Sequence, residues 1–326
     1  MTSSPIGRAL DEVPRTPLAV TPTPLLESPH LARHLGLGAG LWIKADAWTG
    51  FGLGGNKVRK LEYELTPERL LGVTHLITAG GPHSNHCRVT AAAAAHLGLS
   101  CTLVLNGYPD DPARGNALLH RILGAEIVTV SGREDRAPAM EERARHIERA
   151  GGRALLVPLG ASTPRGSLGY ARALGEIADQ LPAGARPTLV VPSSSGGTLA
   201  GLILGMALLG VEWPVVAVSA DDPADEVKAR AVELAQAAAG IVAADLAGDG
   251  VDSAAEAVRV TDSYVGSGYG EPTPESEEAT LLFGRKGGVV LDPVYTAKAA
   301  AALIHERLET GPTVFLHTGG HPALFR

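Results

Sequence analysis

The chain has 326 residues, 45% of them apolar and 19% charged, enough to bury a large core in one large domain or two modest ones. Its net charge of -7 argues against a nucleic-acid or anionic-membrane surface, and the most apolar run, LAGLILGMALLG (199–210), is too short and too glycine-rich to span a membrane. The opening MTSSPIGRALDEVPR lacks the apolar core of a signal peptide, which predicts a cytoplasmic protein. Cys87 and Cys101, the two cysteines, have neither metal-ligand nor disulfide-framework spacing and are expected to be buried thiols.

In chain order, the proline-rich residues 14–29 read as an extended arm. GFGLGGNKVRKLEY (50–63) follows, a glycine-rich loop that lets the backbone approach a flat or charged ligand and delivers Lys57 to a helix starting near Asn56. Lys57 and Lys60 share a face one turn apart. Arg59 and Lys60 as cationic neighbours are expected to lower the Lys57 pKa and leave more free amine for Schiff-base chemistry. A solvated basic helix is the plainer reading of this run taken alone.

Beyond it, β-branched runs at 75–80, 101–106, 125–130, 154–159, 188–193, 215–220 and 313–318 read as strands. Helical patterns alternate with them near 86–97, 114–123, 138–150, 167–180, 198–209, 225–239 and 296–309, and 240–257 reads as a surface connection. The alternation predicts βαβ units in parallel sheets covered on both faces, where ligands gather at the carboxyl ends of strands.

The loops at that edge are unusual. GPHSNHCR after the run 75–80 opens a helix that Ser84 can cap, and the same free N–H groups can hold a carboxylate. After 188–193, Ser194, Ser195, Gly196, Gly197 and Thr198 open another helix as an anion cup suited to a phosphate. The 194–198 loop itself is neither a Walker loop nor a GxGxxG fingerprint. GYGEPT, LDPVYTAK and LHTGGHPALF follow in the last third, where Tyr269 and Tyr295 flank turns, Asp292 reads as a turn former, His317 as a packing residue and Thr318 as part of a close-approach loop.

A lysine for imine formation, a phosphate cup, a carboxylate-binding turn and positioned tyrosines together point to pyridoxal phosphate acting on an amino acid. TGFGLGGNKVRKLEYEL, GGPHSNHCRVTAAAAAHLGL, RGNALLHRILGAEI, SLGYARALGEI, SSSGGTLAGL, GYGEPT, LDPVYTAKA and HTGGHPALF run in order from about residue 17 to the C-terminus. Through these segments the chain resembles the tryptophan-synthase-β-like pyridoxal-phosphate enzymes, in the branch of D-cysteine desulfhydrase and 1-aminocyclopropane-1-carboxylate (ACC) deaminase.

The resemblance implies an α/β fold of two open, twisted, mainly parallel sheets. It implies a large domain of residues 1–60 and 166–326 with a smaller one, 61–165, inserted, and a homodimer. It implies that Lys57 holds the cofactor covalently and exchanges the α-proton, that Asn85 meets the cofactor's 3′-oxygen and that Ser194 to Thr198 with Lys60 bind its phosphate. Tyr295 would stack near the ring, Tyr269 would be the second active-site tyrosine and Thr318 would meet the pyridine nitrogen. Ser84, Asn85 and His86 would face the substrate. His83, Trp48 and Thr296 are departures from the family pattern: His83 stands for a glutamine, Trp48 for a small or aliphatic residue and Thr296 for the glutamate of ACC deaminases. All three are expected on the substrate side.

The implied activity is α,β-elimination from a small amino acid, D-cysteine first, to pyruvate, ammonia and sulfide. ACC deamination, sulfite elimination from cysteate, a specialised β-elimination or replacement, and an idle amino-acid-binding homologue are the alternatives. No metal or macromolecular partner is implied.

Overall fold

Ten strands form two sheets in the computed structural model, which describes residues 5–107, 113–242, 248–306, 308 and 311–326. They are β1 (Leu25–Glu27), β2 (Leu41–Lys44), β3 (His75–Gly80), β4 (Ser100–Asn106), β5 (Glu126–Val130), β6 (Ala154–Leu156), β7 (Thr188–Ser193), β8 (Val215–Ser219), β9 (Val258–Thr261) and β10 (Thr313–Leu316). The larger sheet has the order β1-β2-β10-β7-β8-β9 and the smaller β5-β4-β3-β6. Every pairing is parallel except β1 with β2. The chain of the smaller sheet therefore lies wholly within that of the larger.

The expected alternation holds, with the shortest strands absent from it. β1, β2 and β9 have three or four residues each, and charged side chains interrupt their apolar pattern. β6 stops at Leu156 rather than 159, because Pro158 precedes a single-turn helix, Leu159–Ala161. The stretch 240–257, expected as a connection, contains the helix Asp249–Glu256, which buries Val251, Ala254 and Ala255. Residues 243–247 of that stretch, and 307 and 309 of the expected helix 296–309, lie outside the described residues, and that helix runs Thr296–His305. The arm is extended as expected: Leu18 and Ala19 N–H groups donate to Glu62 at 2.7 and 2.8 Å before the chain enters β1. The segment 199–210 is the helix Gly197–Leu209, packed between Pro164–Gln180 and Ala224–Val242.

Beneath the larger sheet's edge lies a buried charge cluster. Arg59 reaches Asp46 at 2.9 Å and Glu176 at 2.7 Å, Lys44 reaches Glu176 at 2.8 Å, and the Tyr170 hydroxyl donates to Asp46 at 2.5 Å. Burial alone would raise Asp46, but the charge and hydrogen bonds of Arg59, with the Tyr170 bond, hold it below the ordinary carboxylate value. The cluster ties β2 and the helices Asn56–Glu64 and Pro164–Gln180 together. It corrects one expectation: Arg59 does not face Lys57 and is not the cation that tunes it.

Candidate active site

The carboxyl ends of both sheets open on one cavity of about 640 Å³. Residues following β3, β4, β5, β6, β7, β8 and β10 all line it, as parallel strand ends should.

Lys57 enters this cavity on the second residue of the helix Asn56–Glu64. The glycine loop is locked in place before it. A Cβ on Gly54 would stand 2.0 Å from the Ala47 carbonyl oxygen, and its φ of +68° is one that L side chains rarely adopt. The Gly55 N–H then donates to the Asp46 carbonyl at 3.1 Å and the Asn56 N–H to the Thr318 carbonyl at 3.0 Å, which sets Lys57 beside the end of β10. Desolvation lowers the Lys57 pKa to about 8, so a substantial fraction of free amine is present near neutral pH. Burial replaces the cationic neighbours expected from sequence as the cause.

Lys60, one turn on, is fully buried and donates to the Ser162 hydroxyl at 2.7 Å. Ser162 meets the Ser195 hydroxyl at 2.6 Å and accepts the Gly197 N–H at 3.3 Å, while Asn56 Nδ2 donates to the Thr198 hydroxyl at 3.1 Å. The expected cup is thus assembled around Lys60, and Ser162 is the member that sequence reasoning missed. Burial first, and the Lys57 charge second, push the Lys60 pKa well below its ordinary value.

Ser84 is the N-cap of the helix Asn85–His96, its hydroxyl accepting the Cys87 N–H at 3.2 Å. β3 must end in glycine to bring it there, since a Cβ on Gly80 would meet Ser84 and Cys87 side-chain atoms at 2.7 Å. Asn116 holds the turn by donating to the His83 carbonyl at 2.7 Å and to Asn85 Oδ1 at 2.8 Å, which leaves the Asn85 amide N–H groups as donors. Thr78 donates its hydroxyl proton to the Val157 carbonyl, so it accepts from His86 Nε2 at 2.7 Å. His86 is then neutral with Nδ1 as a bare acceptor. Burial, with Lys57 and Lys60 nearby, pushes its pKa well below 6.5. Ser84, Asn85, His86 and His83 all line the cavity.

Tyr269 and Tyr295 face each other edge to face with ring centroids 5.9 Å apart and their hydroxyls hydrogen-bonded. Burial raises both phenols above the ordinary value of 10, Tyr295 the further, so both carry their protons at neutral pH. Asp292 positions Tyr295: its carboxylate accepts the N–H groups of Val294, Tyr295 and Thr296 at 2.8–3.0 Å. Thr318 lines the cavity, whereas His317 packs beside it and bonds the Val290 carbonyl at 2.7 Å.

Two residues expected on the substrate side are elsewhere. Thr296 is fully buried, and its hydroxyl bonds Asp292 Oδ1 at 2.6 Å because the first turn of its helix points it back into the Asp292 turn. Trp48 is 57% exposed and lies outside the cavity lining, carried to the surface by the short helix Asp46–Trp48. Cys87 and Cys101 are buried free thiols, and burial raises both pKa values.

Several charged cavity residues carried no signal in the sequence. Arg133 pairs with Asp221 at 2.7 Å and lies 5.8 Å from the Tyr269 ring centroid, and Arg230 pairs with Asp222 at 2.9 Å. Arg133, Asp221 and Asp222 sit on loops after strands of the two sheets, and Arg230 on the helix Ala224–Val242. Asn116, by contrast, lies inside RGNALLHRILGAEI and was within reach of a motif reading.

A lysine of lowered pKa beside an anion cup invites comparison with known proteins. The model of the family described as pyridoxal-phosphate dependent enzyme matches residues 16–319. This chain belongs to that family. The enzyme is 37% identical to the D-cysteine desulfhydrase of Salmonella choleraesuis and 36% to that of Klebsiella pneumoniae, each match covering 97% of both chains. The crystal structure of an ACC deaminase homologue superimposes with a TM-score of 0.88 at 34% identity, covering 99% of this chain and 97% of the other.

The residues present fit pyridoxal phosphate. Lys60 is a buried amine whose positive form has a serine hydroxyl and the charge of Glu64, one turn on, to offset its burial, and a phosphate beside Ser195, Gly197 and Thr198 would restore its charge. Lys57 has a free-amine fraction to join the aldehyde, and Asn85 has donors to spare.

Proposed function

We propose that the enzyme is a lyase that removes the α-proton and the β-substituent of a small amino acid, D-cysteine in the first place. With one water consumed, cysteine yields pyruvate, ammonium and hydrogen sulfide. Pyridoxal phosphate, when bound, supplies the electron sink for the charge left on the α-carbon.

The Lys57 amine carries this reading: near pH 8 it is free often enough to take the α-proton on Nζ, in the one cavity that also holds the Ser84 helix start and the phosphate cup. Ser84 and the N–H groups behind it orient the substrate carboxylate. The protonated Tyr269–Tyr295 pair stands ready to give a proton to the departing group. Thr318, which lines the cavity, would hydrogen-bond the pyridine nitrogen of the bound cofactor. Among the described residues that line the cavity, the carboxylate side chains are Asp221 and Asp222, each bridged to an arginine. Nothing there keeps a pyridine nitrogen protonated, which favours substrates with a good anionic leaving group over the opening of a cyclopropane. The relatives carry both names, D-cysteine desulfhydrase and ACC deaminase homologue, so the choice between the two rests on the cavity residues.

The division into residues 1–60 with 166–326 and an inserted 61–165 belongs to this reading, supported by the two separate sheets. So does a homodimer, supported by the exposed Val20 (70%) and Trp48 (57%) on neighbouring segments that the Val20 N–H joins by donating to the Thr49 carbonyl. Cytoplasmic residence belongs to the same reading, supported by two buried free thiols; among the described residues no helix is long and apolar enough to cross a membrane.

Screening the purified, cofactor-loaded enzyme against D-cysteine, L-cysteine, D-serine and ACC tests the reading. Pyruvate with stoichiometric sulfide from D-cysteine is expected, together with little 2-oxobutanoate from ACC. Efficient ACC turnover overturns it. Sedimentation of the same sample decides the dimer.

A further inference from the structure

The charges on the cavity wall do not balance locally. Arg133 is matched by Asp221 and Arg230 by Asp222, at 2.7 and 2.9 Å. Arg136 lines the same cavity and is half-buried, but it is held by a neutral group: its Nε donates to Asn106 Oδ1 at 2.9 Å, and a second guanidinium nitrogen bonds the same oxygen. Among the described residues no carboxylate lies within ion-pair distance of it.

The position makes this costly. Arg136 is the first residue of the helix Arg136–Arg149, where the open N–H groups already present partial positive charge and a cation has the wrong sign. The neighbouring N-cap, Asp135, directs its carboxylate to the Gly132 N–H at 3.0 Å. Burial and the charge of Arg133 lower the Arg136 pKa, which records the same unfavourable setting. A guanidinium kept at a helix start, partly desolvated and facing a ligand cavity, is suited to a planar or tetrahedral anion that accepts two of its hydrogen bonds.

The reading above already places two anions elsewhere. The cofactor phosphate belongs with Lys60 and residues 194–198, and the substrate α-carboxylate with the Ser84 helix start. Arg136 is therefore a third anion position, and Arg133, three residues earlier and lying against the Tyr269 ring, sets it on the side of the tyrosine pair. We propose that Arg136, backed by Arg133, is a specificity-determining residue that receives an anionic group carried on the β-carbon of the substrate: a sulfonate, a phosphate or a carboxylate. This rests on the elimination reading and extends it to substrates larger than cysteine.

For 3-sulfoalanine the β-carbon–sulfur bond breaks with its electron pair leaving on sulfur as sulfite. With one water consumed, the products are pyruvate, ammonium and hydrogen sulfite. For O-phosphoserine the carbon–oxygen bond breaks and phosphate departs. Aspartate has no leaving group and reports binding alone.

The test uses the cofactor-loaded enzyme and both enantiomers of each amino acid. Wild-type enzyme should show a saturable change in its visible spectrum with aspartate at a concentration at least tenfold below that needed with alanine. It should release pyruvate from 3-sulfoalanine and from β-chloroalanine, whose β-substituent is uncharged until it departs as chloride. In Arg136→Met the ratio of kcat/KM for 3-sulfoalanine to that for β-chloroalanine should fall by about 10- to 100-fold, as expected for a lost charge-assisted hydrogen bond, mainly through KM. Arg136→Lys should recover part of the ratio. An unchanged ratio means that Arg136 serves the α-carboxylate or the fold, and overturns the proposal. Equal binding of aspartate and alanine by the wild type overturns it without recourse to any variant. Should β-chloroalanine give no pyruvate while aspartate still outbinds alanine, the elimination reading fails and the anion position stands.

Discussion

Desolvation brings Lys57 to about 8, and the sign of that shift makes a prediction for the cofactor-free protein. A lysine whose pKa is lower folded than unfolded burdens the folded state below its folded pKa, and the burden fades as pH rises from about 8 toward 10.5. The reactive amine appears over the lower part of that range. The rate at which pyridoxal labels Lys57, trapped by borohydride and located by peptide mapping, should therefore rise with an apparent pKa near 8. A midpoint near 10, or label on Lys60 instead, would contradict the environment described for this side chain. Ser84 poses a different question, because its hydroxyl caps a helix and also faces the cavity. Ser84→Ala should lose about 1 kcal/mol of stability through the cap. It should also raise KM for the amino acid well above any change in cofactor affinity. A lower melting temperature with unaltered kinetics would leave the cap as its whole role.

At the scale of elements, the site depends on how loops are locked. Gly54→Ala puts a methyl group against the Ala47 carbonyl in a backbone conformation that alanine resists. The loop would have to move, carrying the start of the Lys57 helix with it. Loss of cofactor retention with a stability cost above about 1 kcal/mol is expected, read by absorbance after dialysis and by thermal melting. The cup offers a second measurement. Lys60 lies well below its ordinary pKa without an anion, and a phosphate dianion should raise it again. Binding of pyridoxal phosphate should thus take up a proton at pH values between the lowered Lys60 value and 10.5, visible as a dependence of calorimetric heat on buffer ionisation. Proton release in that window would place the phosphate elsewhere.

Across the whole molecule, the Asp46–Arg59–Glu176 cluster is where the arm, β2 and two helices are joined. Arg59→Met leaves buried Asp46 without its paired cation, while Glu176 keeps Lys44, and the expected loss is about 3–5 kcal/mol by denaturant unfolding. The pH dependence follows from Asp46. Its folded pKa is depressed, so its contribution is present above the ordinary carboxylate value and is lost as pH falls through the folded one. Acid should therefore narrow the gap between wild type and Asp46→Asn. A gap that widens in acid would reverse the assignment.

The repeating pattern of β-branched and alanine-rich runs specified a parallel α/β architecture, because strands buried on both faces must be apolar throughout. The glycine loop, the SNH turn and the SSSGGT cup were equally legible, since each sits where a parallel strand feeds a helix and backbone N–H groups must be open. The strands β1, β2 and β9 were not, being short runs that charged side chains interrupt. Folding alone decided which way the charged side chains point. Arg59 and Lys60 are adjacent in sequence, yet the helix turns one into a carboxylate cluster and the other into the cup. Thr296 was read as facing substrate and instead closes the Asp292 turn. Arg133 and Asp221 come from loops of different sheets and Arg136 from a helix start, and their meeting in one cavity beside Tyr269 is a product of packing over long sequence separations that local spacing does not encode.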